Sequence, residues 1–144
     1  MRKQPGVIIQ DPIRKDFVMA TVELTQDNFE QVVTGNDMVI VDFWAEWCGP
    51  CRGFAPVFEA ASEKHGGVVF GKVDSDAQQS LAAAFNIRSI PFLMVFREQV
   101  VLYAQAGALP AEGLESVIHQ ARALDMEQVR KDIAEQQAQQ QQQQ

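Results

Sequence analysis

The chain has two cysteines, Cys48 and Cys51, three residues apart, and they are the side chains best suited to chemistry. Any sulfur chemistry must therefore take place at one position. A four-ligand zinc site would also need His65 and His119, whose separation does not match a compact zinc motif. We therefore expect no metal. Two open interpretations remain, a pair that opens and closes during a reaction and a static disulfide.

The residues around the pair predict a junction between a strand and a helix. The run from Met38 to Trp44 is almost continuously apolar, as in a strand covered on both faces. Beyond the pair, apolar residues recur at helical spacing. At a helix N-terminus Cys48 would face unpaired N–H groups, which favour a thiolate, and Pro50 fits the first turn. Cys51 would lie one turn later on the same face, close enough to form a disulfide.

The composition indicates one folded domain and limits the kinds of partner. The 144 residues are 47% hydrophobic and 22% charged, which is ordinary for a globular protein. A net charge of -7 argues against nucleic acid or an anionic membrane surface as partner. No apolar run approaches the roughly 18 residues of a membrane span, and the start lacks the apolar centre of a signal peptide. We therefore expect a cytoplasmic protein without a membrane partner.

The remaining pattern alternates strands and helices and predicts a mixed α/β fold. Thr25 is predicted as the N-cap of the first helix, and Pro110 opens the fourth. Two strands separated by only three residues must form an antiparallel hairpin, and Glu98-Gln99 there suggests a turn other than the Asn-Gly type. The fold class is therefore a central mixed β-sheet flanked by helices on both faces. The predicted strands are 21–24, 38–44, 68–73, 91–96 and 100–105.

Composition changes at both ends divide the chain into three parts. Residues 1–20 form an N-terminal extension, 21–124 the domain, and 125–144 a C-terminal extension with a glutamine-rich tail. Such a tail cannot build a core, so we expect it to be mobile.

Three segments resemble the thioredoxin family. The segment Val41 to Cys51, VDFWAEWCGPC, is similar to the family's active-site segment. The segment Arg88 to Pro91 resembles the loop that carries its cis proline, and Gly107-Ala108 resembles a third landmark. The resemblance covers about residues 21–124 and implies a thioredoxin fold and the activity of a protein disulfide oxidoreductase.

The resemblance also implies roles for individual residues. Cys48 would attack a target disulfide and Cys51 would resolve the mixed disulfide. Asp42, a carboxylate in an apolar strand, would have a raised pKa and take the proton of Cys51, with Lys72 beside it. Phe92 departs from the small residue that usually follows the cis proline. The implied docking surface consists of Trp47, Gly49, Pro50, Ile90, Pro91, Gly107 and Ala108.

By the same resemblance, the chain would act without a bound cofactor. Electrons would come from NADPH through a thioredoxin reductase, and the other partners would be proteins that contain disulfides. We expect a monomer. An alternative is a client-binding or chaperone-like module with secondary redox activity, suggested by Phe92 and the C-terminal extension. A third interpretation, an oxidase or isomerase in an oxidising compartment, is disfavoured by the missing signal peptide.

Overall fold

A computed structural model describes residues 20–143 of the chain. The predicted N-terminal extension therefore lies outside the described residues, apart from Ala20. The described part contains five strands and five helices. In chain order they are β1 Thr21–Glu23, α1 Phe29–Thr34, β2 Met38–Trp44, α2 Gly49–Lys64, β3 Val69–Asp74, α3 Gln79–Ala84, β4 Phe92–Arg97, β5 Val100–Ala106, α4 Ala111–Ala123 and α5 Met126–Gln142.

The five strands form one mixed sheet in the order β1-β3-β2-β4-β5. Strands β1, β3 and β2 run parallel, whereas β4 is antiparallel to both β2 and β5. The predicted mixed sheet is thus confirmed. The apolar run of β2 lies at its centre, and residues 38–43 are all buried. In this register Asp42 of β2 lies between Lys72 of β3 and Leu93 of β4.

Helices cover both faces of the sheet because side chains alternate between the faces along each strand. On one face, Phe54 and Phe58 of α2 pack with α4 residues against Ile40 and Phe70. On the other, Phe29 of α1 and Leu81 of α3 pack against Val39, Val41 and Phe43. The predicted flanking of the sheet by helices is therefore confirmed.

The predicted N-cap at Thr25 is wrong, because α1 begins four residues later. The Asn28 side chain accepts a hydrogen bond from the Thr25 N–H at 2.7 Å, and this bond closes a turn. The Thr25 carbonyl accepts from the Phe29 N–H at 2.9 Å. The Thr25 hydroxyl accepts from the Asp27 N–H at 3.2 Å, so Thr25 caps the turn that precedes α1.

The hairpin between β4 and β5 also differs from the expected turn. Arg97 belongs to β4 and pairs with Val100, so only Glu98 and Gln99 lie in the turn. Their φ angles are 51° and 69°, both positive as in the type I′ turn that usually carries Asn-Gly. The Glu98 N–H donates to the Asp37 carbonyl at 2.7 Å, and Arg130 forms an ion pair with the Glu98 carboxylate. These tertiary contacts support a turn that its own residue types disfavour.

The glutamine-rich tail lies in a helix, α5, and its mobility stays a prediction. The Asp125 side chain caps α5 by accepting from two backbone N–H groups, at 3.1 and 3.3 Å. Glutamine and alanine are good helix formers, so the helix can continue without a core. Of its residues only Met126 is buried. Among residues 20–143, no helix is long and apolar enough to cross a membrane.

Candidate active site

Cys48 and Cys51 lie at the start of α2 and are joined by a disulfide. Cys48 occupies the N-cap position with an extended backbone, and its Sγ accepts from the Cys51 N–H at 3.2 Å. Pro50 lies in the first turn, where no backbone N–H is needed. Both cysteines are almost fully buried, at 4% and 2% exposure. The helix N–H groups would favour a thiolate at Cys48, whereas the burial of its sulfur would oppose one.

A loop distant in sequence meets the cysteines, and a second loop is hydrogen-bonded to it. The Ile90–Pro91 peptide bond is cis, as the resemblance implies, and the Ile90 carbonyl oxygen lies 3.7 Å from the Cys48 Sγ. The Gly107 N–H donates to the Pro91 carbonyl at 2.8 Å. Gly107 has a φ of 113°, a conformation that favours glycine, and Ala108 follows it on the surface. Three of the segments singled out in the sequence are thus neighbours in the fold.

Trp47 forms an exposed apolar surface beside the nucleophile position. Its side chain is among the most exposed of the large hydrophobic residues, at 69%. Its indole Nε1–H donates to the Asp76 carboxylate at 2.9 Å, which fixes the ring. Gly49 and Pro50 are exposed next to it. Sequence reasoning missed Asp76, although it follows β3 at the sheet edge where the parallel strand β2 also ends.

Asp42 is a buried carboxyl in the central strand. Its side chain is 1% exposed, and neither of its oxygens has a hydrogen-bond partner among the described residues. Burial raises the pKa of Asp42 to about 7, and the nearby Lys72 acts in the opposite direction. A carboxyl with such a pKa exchanges a proton readily near neutral pH.

Lys72 is the strand neighbour of Asp42, yet its ammonium is bound elsewhere. Its Nζ lies 4.0 Å from a Glu59 carboxylate oxygen of α2 and 5.0 Å from the centre of the Trp44 ring. Sequence reasoning missed Glu59. The only local signal was its place on α2, about two turns after Cys51.

Phe92, the departure noted in the sequence, packs into the core on the α1 and α3 side. Its ring meets Phe43 edge to face, with centroids 6.4 Å apart. His65 lies at the other end of α2, where its Nε2 is 2.9 Å from Glu115. Among residues 20–143, no three His, Cys, Asp or Glu side chains are grouped as metal ligands would be.

Comparison with known proteins connects this geometry to one family. The sequence model of the thioredoxin family matches residues 20–120. A protein of Streptomyces coelicolor named "Putative thioredoxin 2" is 62% identical over 120 residues, which are 83% of this chain and 90% of that protein. "Thioredoxin C-3" of Corynebacterium nephridii is 39% identical over 100 residues, 69% of either chain.

Solved structures give the same result. The thioredoxin of Plasmodium falciparum superposes with a TM-score of 0.65 and 35% identity, covering 69% of this chain and 98% of that one. A mutant thioredoxin from Halobacterium salinarum superposes with a TM-score of 0.68 and 28% identity, covering 77% of this chain and 99% of that one.

Proposed function

Because this chain belongs to the thioredoxin family and is a thiol–disulfide oxidoreductase, we propose that Cys48 and Cys51 are its redox pair and reduce disulfides of target proteins. One observation carries the assignment of roles. The pair begins a helix directly after the central strand, and that strand holds a buried carboxyl without a hydrogen-bond partner in the described part of the chain.

In the first step, the Cys48 thiolate attacks one sulfur of the target disulfide. The target's S–S bond breaks, its second sulfur leaves as a thiolate that takes up a proton, and a mixed disulfide with Cys48 forms. The N–H groups at the start of α2, among them that of Cys51 at 3.2 Å, favour the attacking thiolate.

In the second step, Asp42 accepts the proton of the Cys51 thiol, and the resulting thiolate attacks the Cys48 sulfur. The bond between Cys48 and the target breaks, and the target sulfur leaves as a thiolate. The protein has then lost two electrons and holds the Cys48–Cys51 disulfide. A pKa of about 7 suits Asp42 to this transfer, because the carboxylate form is both available and basic at neutral pH.

The target would bind across the surface around the sulfurs. The main chain of Ile90 can hydrogen-bond an extended peptide, while the flat ring of Trp47 and the small residues Gly107 and Ala108 leave room for it. Lys72 would tune the proton acceptor rather than touch the target. The proposed docking residues are Trp47, Gly49, Pro50, Ile90, Pro91, Gly107 and Ala108.

We further propose that a thioredoxin reductase using NADPH restores the dithiol, and that the chain acts in the cytoplasm as a monomer without a bound cofactor. The Gly-Pro pair between the cysteines, which resembles reducing members of the family, supports this direction of electron flow. Residues 21–124 would form the working domain, with 1–20 and 125–144 as extensions.

Insulin reduction with dithiothreitol tests the assignment. Cys48→Ser should lower the rate to the dithiothreitol background, because the attacking sulfur is gone. Cys51→Ser should instead trap a mixed disulfide with insulin that excess dithiothreitol releases. Circular dichroism of both variants controls for folding. Equal rates for the unmodified protein and Cys48→Ser would contradict the proposal.

A further inference from the structure

Several carboxylates surround Lys72, but its ammonium forms an ion pair with only one of them in the described part of the chain. Strand register places Asp42 of β2 on one side of Lys72 and Glu23 of β1 on the other. Glu59 of α2 approaches from above the sheet, and its carboxylate lies 4.0 Å from the Lys72 Nζ. Asp74, two residues further along β3, completes the set.

The position of the ammonium is defined by two contacts, neither of them with Asp42. Glu59 supplies the negative charge, and the face of the Trp44 ring lies 5.0 Å from the Nζ, a distance typical of a cation–π contact. The Asp42 oxygens lack a hydrogen-bond donor among residues 20–143. Lys72 is therefore held near the buried carboxyl without forming a hydrogen bond to it.

This separation matters because charges interact strongly where little water screens them. Burial raises the pKa of Asp42, and Lys72 is the charge in the described part of the chain that opposes this rise. If the ammonium moved closer to Asp42, the carboxylate would be stabilised and would become a weaker base. The geometry around Lys72 thus controls the proton acceptor of the resolving step.

We propose that Glu59 is a positioning residue of the disulfide exchange: its ion pair holds Lys72 away from Asp42 and so keeps Asp42 basic enough to take the proton of Cys51. The inference rests on the proposed role of Asp42. It extends the site to a helix residue that touches neither the sulfurs nor the target.

An open groove beside Lys72 offers the ammonium another destination. The groove has a volume of about 330 Å³ and is lined by Thr21, Val22, Glu23, Trp44, Lys72 and Asp74. In the absence of the Glu59 charge, Lys72 can turn toward Asp42 or toward Glu23 and Asp74 in the groove. The first movement lowers the pKa of Asp42 and the second raises it. The direction of the pKa change therefore shows which way Lys72 moves. In the reduced protein α2 also carries the Cys51 thiol, whose proton Asp42 is proposed to accept.

The test is Glu59→Gln in the full chain, with the Asp42 carboxyl titrated by carbon NMR in the reduced protein. We expect the midpoint to fall by about 0.5 pH unit, the size of effect that a partly exposed ion pair produces. Insulin reduction at pH 8 should slow about twofold, because a weaker base assists the resolving step less. Glu59→Asp, which keeps the charge, should restore at least half of the shift.

Two controls separate positioning from a general charge effect. Glu63→Gln removes the same charge from an exposed position one turn further along α2 and should leave the midpoint unchanged. In a Lys72→Met background, Glu59→Gln should have no further effect, because the residue through which it acts is absent.

The possible failures are distinguishable. An unchanged or raised Asp42 midpoint in Glu59→Gln, together with slow resolution in Asp42→Asn, would overturn this inference and leave the proposed function intact. Unimpaired resolution of the mixed disulfide in Asp42→Asn would instead overturn the role of Asp42 itself, and the role of Glu59 with it.

Discussion

Asp42 and Arg97 are charged residues on the adjacent strands β2 and β4, near opposite ends of the sheet, and their surroundings differ sharply. Asp42 is buried, and its carboxyl lacks a hydrogen-bond partner in the described part of the chain. The Arg97 side chain is 20% exposed, and its Nε lies 3.8 Å from the Asp37 carboxylate. Its Nη1 is also 2.8–3.1 Å from the carbonyl oxygens of Ala121, Arg122 and Leu124.

The surroundings of the two side chains show that Arg97 stabilises the fold, whereas Asp42 is placed to react. Arg97 satisfies carbonyls at the end of α4 that would otherwise lack donors, so its burial is compensated. The burial of Asp42 is not compensated in this way, and an uncompensated buried carboxylate destabilises the folded state. Such a group is typical of a functional site, where a perturbed pKa serves the reaction.

The largest effect is expected from Asp42→Asn. The pKa of Asp42 is raised from 3.8 to about 7 by folding, so the folded protein binds the proton more tightly. Stability therefore falls as the pH rises from about 4 to about 7, and the loss is complete above that range. Asparagine does not ionise. At pH 8 the variant should be more stable by roughly 4 kcal/mol, while its disulfide exchange slows.

Urea unfolding of the oxidised protein at pH 8 and at pH 4 measures this gain. At pH 4 the two proteins should unfold at similar urea concentrations, because Asp42 is then protonated in the folded state. A gain of equal size at both pH values would show that packing, rather than ionisation, explains the effect.

Arg97→Met should have a smaller effect of opposite sign. Methionine keeps much of the apolar stem but leaves the carbonyls at the end of α4 without their donor, which should cost about 2 kcal/mol. The loss should be similar between about pH 6 and pH 9, because arginine does not titrate there. Thermal or urea unfolding measures it. Since Arg97 lies far from the sulfurs, the rate of insulin reduction at 25 °C should not change.

Arg130→Gln should have the smallest effect. Arg130 pairs with Glu98, and both side chains are exposed, at 52% and 36%. An exposed pair contributes about 0.5 kcal/mol and less at high salt. Urea unfolding of both proteins at low and at high sodium chloride measures how much stability the ion pair contributes at each salt concentration. A loss of stability as large as that of Arg97→Met would contradict this expectation. It would mean that the Glu98–Gln99 turn depends strongly on its contact with α5.

The elements that are predicted well are those whose signal is local. The bounds of β2 match the apolar run from Met38 to Trp44, since a central strand is apolar on both faces. The turn at Glu98 and Gln99 was not predicted because it depends on contacts from elsewhere: it is held by Arg130 and Asp37.

The site shows the same division. Trp47 and Asp42 lie within the segment from Val41 to Cys51, and the family resemblance nominated Lys72, so the sequence was enough to find all three. Glu59 and Asp76 were missed because each becomes relevant only through a partner on another element. A surface carboxylate on a helix has the same appearance in a sequence whether or not it faces a lysine of the sheet.

The sequence alone determined that this chain carries a cysteine pair at the start of a helix, because spacing and helix onset are local properties. The sequence also predicted a raised pKa for Asp42. Only the tertiary structure decided that the Asp42 carboxyl has no hydrogen-bond partner among residues 20–143, and which carboxylate binds Lys72. The pKa of a group depends on the atoms that exclude water from it and on the distances to nearby charges. Those atoms come from strands and helices that are far apart in the chain and meet only in the folded sheet.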